Sequence, residues 1–211
     1  MQQCQLIYPV ALRLVCIITL TISVANLAQA KIVKSLFEMR RENVVVQQWD
    51  LSCGAAALTT LLNFQHHDMV DEKQVATTLM AREEYIKNPI LVNIRQGFSI
   101  LDLKRYVDGR GYEGIGYGKL TLDELVKKAP IIVPINLLGY NHFVIFRGIK
   151  GNRVLLADPA WGNRTLLIKQ FKKAWINFPE IGRVGFVVAR TDGVSMPNLL
   201  EPRAEEFVML R

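Results

Sequence analysis

Gln47-Gln48-Trp49-Asp50-Leu51-Ser52-Cys53-Gly54-Ala55-Ala56-Ala57-Leu58-Thr59-Thr60-Leu61-Leu62 is the stretch from which the rest of this chain is read. Its Ala/Leu-rich second half is a good helix former, and Ser52 or Asp50 supplies the oxygen that caps a helix start. Cys53 then falls in the first helical turn, where unpaired backbone N–H groups and the helix dipole favour a thiolate over a thiol. Working outward, residues 31–43 form a polar, basic approach and Val44-Val45-Val46 a short extended run. Downstream, Asp71 opens a second helix running to Met80. Ser99 caps a third, with Ile100, Leu103 and Val107 on one face and Gly109 as its stop, and Thr121 caps a fourth over 122–128, ahead of Pro130. The character then changes. Segments 131–138, 142–149, 153–158, 165–168 and 184–189 are β-rich and separated by Gly, Asn and Pro, with Lys150-Gly151-Asn152 as a hairpin turn. Helices first and antiparallel strands afterwards define an α+β organisation, a helical half packed on a sheet half. The segment from Thr191 to Arg211 receives no assignment from pattern.

The bulk numbers agree with one globular domain. The chain has 211 residues, 50% of them hydrophobic and 21% charged, which excludes a disordered chain. The net charge of +7 is scattered, apart from Lys31, Lys34, Arg40 and Arg41. That cluster has no interleaved aromatics and reads as a solvated lead-in, not a nucleic-acid surface. Residues 1–30 differ from the rest. They carry no acid and one base, Arg13, then an apolar run, and they end in Ala28-Gln29-Ala30. This is the pattern of a secretory signal peptide cut after Ala30, the alternative being a retained anchor helix. Cleavage removes Cys4 and Cys16, so residues 31–211 carry Cys53 alone, with no internal disulfide and no stable membrane insertion. The expected location is periplasmic or secreted.

A thiol nucleophile needs a base, and the chain has three histidines. His66 and His67 stand together beside Asp68 at the end of the Cys53 helix; neighbouring histidines point apart, so they read as a solvated helix end and not a metal site. His142, at the mouth of a strand, is the better base. Placing the hairpin turn at 150–152 sets Asp158 opposite His142, where a carboxylate can fix the imidazole tautomer. An oxyanion donor is also required, and either Gln47 or Gln48 can supply a side-chain N–H beside that of Cys53. Small residues at Gly54, Ala55 and Ala56 suggest a narrow cleft. No metal or cofactor is called for.

Taken together, the Gln47–Leu58 segment, His142-Phe143-Val144-Ile145, Asp158-Pro159 and Gly162 resemble the C39 family of double-glycine cysteine peptidases. The resemblance implies a papain-like fold and a triad of Cys53, His142 and Asp158. It makes Gln47, six residues before the cysteine, the oxyanion-hole glutamine, and implies cleavage of a peptide or protein after Gly-Gly-like small residues. The family often has Asp before the nucleophile where this chain has Ser52; both can cap a helix. The layout is similar to stand-alone exported relatives in bacterial secretion systems, including those for functional amyloid, whose components become expected partners. The same residues also fit two other uses: a C39-like module that binds a peptide without cutting, and acyl transfer or amidase chemistry. The first usually loses its cysteine, which this chain keeps.

Overall fold

The computed structural model describes residues 34–94, 97–137 and 139–207. The predicted signal peptide lies outside them. No helix among the described residues is long and apolar enough to cross a membrane.

Helix α1 (Leu36–Arg41) opens the chain, closed by a reciprocal Ser35/Glu38 capping box. The sequence pattern of residues 31–43 shows only a polar, basic lead-in here. Residues 44–48 then run extended without joining a sheet. The Cys53 segment folds as expected into α2 (Cys53–Gln65), with every residue from Cys53 to Asn63 buried. A helix buried all round is what an Ala/Leu/Thr sequence of low polarity can form. Its two threonines satisfy their hydroxyls on the preceding turn, Thr59 on the Ala55 carbonyl and Thr60 on that of Ala56. Thr60 Oγ1 also accepts from the Val45 N–H, which straps the extended segment to the helix.

The predicted Asp71 and Ser99 helices are present as α3 (Glu72–Met80) and, after the short α4 (Glu83–Lys87) and α5 (Ile90–Ile94), as α6 (Ile100–Asp108). Ser99 and Asp102 form a full capping box and Gly109 ends α6. Strand β1 (Tyr112–Tyr117), which pattern missed, precedes α7 (Leu122–Lys127), itself capped by Thr121. The sheet continues through β2 (Ile131–Leu137), β3 (Tyr140–Lys150), β4 (Arg153–Asp158) and β5 (Gly162–Leu167). The strand expected over 165–168 is the end of β5, which stops at Leu167, and Ile168 opens helix α8 (Ile168–Ala174). The pair β6 (Asn177–Phe178) and β7 (Gly182–Arg183) leads to β8 (Gly185–Arg190).

The main sheet is antiparallel in the order β1-β8-β2-β3-β4-β5. Both its faces are covered, which explains why β2 reads as an unbroken apolar run instead of alternating. Ile132, Ile145, Ala157, Phe186 and Val188 face one core with α2, α3 and α6. Ile131, Val133, Val144, Phe146 and Leu156 face a second core with α7 and α8. The α+β, papain-like arrangement expected from sequence is therefore present, with the refinement that helices sit on both faces.

Residues 191–207, left without an element by pattern, are held to the sheet through Arg147. Arg147 on β3 is 2% exposed and reaches four partners there and beside it. It donates to the Leu200 and Glu201 carbonyls, to Asn163 Oδ1 and to Glu206 Oε2. Glu206 is fully buried and also pairs with Arg203. Asn163 Nδ2 donates in turn to the Met39 and Glu42 carbonyls. One buried ion pair thus ties the C-terminal segment, β5 and the end of α1 together.

Candidate active site

Cys53 begins α2 and is 1% exposed, at the floor of an open cleft of about 710 Å³. Phe98, Tyr117, Pro134, Phe143 and Ile176 make its walls largely apolar. Ser52 occupies the N-cap position, but its hydroxyl makes no capping bond. It lies 2.7 Å from the Trp49 carbonyl and 2.6 Å from Glu72 Oε1 instead. Glu72 is 1% exposed and also accepts from the Gln48 N–H, so one buried carboxylate holds both ends of the turn entering the nucleophile helix. Within that turn Leu51 adopts φ +66, and Gly97 packs against it so closely that a Cβ there would lie 2.8 Å from the Leu51 carbonyl oxygen. The structural role of Glu72 was invisible in the sequence, where it is one more acid in a helix first turn.

Gly54 serves packing, not access. A Cβ at this position would stand 3.3 Å from the Phe143 ring, and Ala55 and Ala56 are wholly buried in the core. The expectation that these small residues flank the cleft is corrected. The small residues lining it are Ser99 at the N-cap of α6, Gly116 on β1, Gly118 just after it, and Gly185 on β8.

His142 lies on β3, 7% exposed, and its Nε2 is 2.7 Å from Asp158 Oδ1. The contact exists, although the register differs from the simple hairpin. Lys150 pairs with Arg153 and Gly148 with Leu155, but a bulge between Phe146 and Gly148 then slips the ladder, giving Ile145 opposite Ala157. Asp158 is therefore level with Val144, and His142 is its diagonal neighbour, still within side-chain reach. Asp158 is fully buried and its oxygens accept three donors: His142, the Ala160 N–H at 2.9 Å, and Arg164 Nη1 at 3.2 Å. The Ala160 bond is an Asx turn, legible in Asp158-Pro159-Ala160; Arg164 carried no signal.

With Nε2–H given to Asp158, the imidazole presents Nδ1 toward its other neighbour. Nδ1 is buried and has no partner of full hydrogen-bond geometry, while Cys53 is close enough to act on the ring. Such a gap is common before substrate closes a site. Burial pulls the His142 pKa down, but hydrogen bonding to Asp158 and Cys53, and their charges, more than offset it and push the value up to about 9. The protonated ring therefore stabilises the folded state. Relative to an unfolded histidine near 6.5, that contribution is complete below about pH 6.5 and lost as pH rises through about 9. Thermal unfolding between pH 6 and 10 should show this loss in the native chain and its absence in His142→Gln; parallel curves would contradict it.

Gln47 is anchored through its backbone N–H, 2.8 Å from the Pro159 carbonyl, which places it beside the Asp158 turn. Its Nε2 donates to the Trp49 carbonyl at 3.0 Å and its Oε1 is buried without a partner. One of the two amide protons remains for another acceptor. The Gln48 side chain is exposed.

His66 and His67 diverge, as expected for adjacent histidines. His66 Nε2 is 3.2 Å from the Val188 carbonyl oxygen and His67 Nε2 is 2.7 Å from that of Pro197. The solvated helix end is corrected in one respect: His66 is buried, and burial lowers its pKa. Asp68 is held by the Arg110 guanidinium through two bonds.

The Peptidase C39 family profile matches residues 41–178, and the chain belongs to that family. It is 38% identical over 157 residues to the probable functional amyloid protease FapD of Pseudomonas aeruginosa, a match covering 72% of this chain and 66% of that protein. The corresponding protein of Pseudomonas fluorescens is 36% identical over 148 residues, covering 69% and 62%. The chain thus spans just under two thirds of the length of these curated relatives. Among solved structures it is similar to a double glycine motif protease from an AMS/PCAT transporter in complex with the leader peptide, with 25% identity, TM-score 0.55 and coverage of 70% and 91%. The peptidase domain of Streptococcus ComA, 14% identical with TM-score 0.55 and coverage of 72% and 100%, shares the fold.

Proposed function

We propose that the chain is a thiol-dependent endopeptidase in which Cys53 is the nucleophile, His142 its base and then its acid, and Asp158 the group that orients His142. The observation that carries this reading is the helix-start thiol facing an imidazole whose far nitrogen is 2.7 Å from a fully buried carboxylate. The Cys53 sulfur attacks the scissile carbonyl, and the Cys53 N–H with the free Gln47 amide proton receives the developing oxyanion. His142 then protonates the departing amine, and water, activated by the same imidazole, releases the acyl group.

For substrate, we infer an extended segment of an exported peptide or protein, cut after Gly-Gly-like small residues, in a periplasmic or secreted setting. Support comes from the glycine-lined cleft, from the signal-peptide pattern of residues 1–30, and from relatives named as a double glycine motif protease and as functional amyloid proteases. Components of an amyloid secretion system are the proposed partners. Residues without Cβ let a substrate backbone lie close to the wall, and papain-like clefts take backbone as an added strand.

The test is a peptide library incubated with purified protein, with Cys53→Ala as control and products read by mass spectrometry. Cysteine-dependent cleavage after paired small residues is expected. Cleavage after bulky residues would overturn the specificity, and binding without cleavage the peptidase reading. In the same assay Gln47→Ala should lower turnover on the order of 10²–10³-fold, as loss of one oxyanion donor does, while Gln48→Ala should be mild. The reverse order would move the oxyanion role to Gln48.

A further inference from the structure

Which way a substrate lies across this site follows from where the proton must go. In acylation the S–C bond forms, the C–N bond breaks, and the imidazolium proton passes to the leaving nitrogen. The acyl half therefore stays over Cys53, while the half that leaves departs over His142. A second cleft, about 600 Å³, shares His142 with the apolar one and none of its other lining residues. Tyr140, 41% exposed, stands beside His142 with ring centroids 6.1 Å apart, and Trp161, 65% exposed, lies further along.

The chemistry of this second cleft differs from that of the first. Arg40, Arg153 and Arg164 line it against a single carboxylate, Asp158. Arg164 already pairs with Asp158, whose oxygens are shared with His142 and the Ala160 N–H. Arg153 donates to the Thr165 hydroxyl, and among the described residues no carboxylate pairs with Arg153 or Arg40. Arg40 is held at the cleft by backbone packing. Gly162, at φ +80, lies so close to α1 that a Cβ there would be 2.1 Å from the Arg40 carbonyl oxygen. The residue read from sequence as part of a solvated basic lead-in is thus part of a wall.

We propose that this second cleft binds the substrate segment C-terminal to the scissile bond and selects acidic residues within it, with Arg153 and Arg40 as the selecting charges. The inference rests on the peptidase reading for its direction. Exposed charge pairs are individually weak, so two of them set a preference of several-fold, not an absolute requirement.

The experiment uses three peptides sharing one Gly-Gly-containing acyl half and carrying acidic, neutral or basic residues downstream. With the full chain, kcat/KM should favour the acidic over the basic peptide by about tenfold at low salt, and less in ~0.5 M salt. Arg153→Glu should invert that ratio. Lys169→Glu, which changes the same charge on the exposed face of α8, should leave it alone. Equal cleavage of the three peptides, or an equal shift from Lys169→Glu, would overturn the proposal. A parallel measurement separates it from the peptidase reading: fluorescence anisotropy of the labelled acidic downstream half alone. Binding of that half that is lost in Arg153→Glu, with no peptide cleaved, would keep the cleft assignment and sink the peptidase.

Discussion

Replacing Asp158 by Asn should cost about 10⁴-fold in turnover while leaving the fold intact, the scale of the corresponding change in serine-protease triads. The reason lies in hydrogen-bond polarity. Asp158 Oδ1 accepts from His142 Nε2, which turns Nδ1 to the thiol side, where it takes up the Cys53 proton and holds it for the departing amine. An Asn amide can donate to Nε2 and thereby favour the opposite tautomer, with its proton on Nδ1. The change also withdraws a charge that helps raise the imidazole pKa to about 9. The alkaline limb of kcat/KM, set in the native chain by loss of the imidazolium near pH 9, should then move toward 6.5, the value of an unperturbed histidine. Arg164 would lose its carboxylate, yet it is partly exposed and water can replace the bond. Circular dichroism and thermal unfolding should therefore change little. Full activity, or an unmoved alkaline limb, would remove Asp158 from the site.

Much of this site was legible in the chain, for local reasons. The helix at Cys53, the capping boxes at Ser99 and Thr121, and the Gly151-Asn152 turn are encoded within a few residues. What was not legible depends on partners distant in sequence. Strand β1 contains Gly114 and Gly116, poor strand residues by propensity, and forms because the backbone of β8 pairs with all of it. The two-residue turn that pairs Lys150 with Arg153 displaces Asp158 from its expected place opposite His142, and the bulge between Phe146 and Gly148 brings it back by only one residue, level with Val144. Gly148 within the strand was the one local mark of that bulge. Glu72 carries no signal of its role in the sequence, because its partners, Gln48 and Ser52, lie more than a dozen residues away. Ser52 shows the same limit in reverse: its residue type fits an N-cap, but the nearby buried carboxylate takes the hydroxyl. The family resemblance supplied what spacing could not, the choice between Gln47 and Gln48.

Arg147 carries the second large expectation, in stability and not chemistry. Removing one member of a buried ion pair leaves the other charge without compensation, which costs about 3–5 kcal/mol. Arg147→Met should fall near the low end, about 3 kcal/mol, because Glu206 would keep its bonds to Arg203 and Asn43. The loss should still be felt at a distance. The same guanidinium holds the Leu200 and Glu201 carbonyls and Asn163, and Asn163 holds the Met39 and Glu42 carbonyls ahead of the Gln47 segment. Denaturant unfolding measures the cost, and amide exchange locates it: protection should fall first in residues 198–207 and 39–47. The double variant Arg147→Met/Glu206→Leu removes both charges together and should be less destabilised than the sum of its two single changes. Additive losses in that cycle would mean that the pair contributes through packing alone, and an unchanged midpoint in Arg147→Met that the C-terminal segment is held by something other than this ion pair.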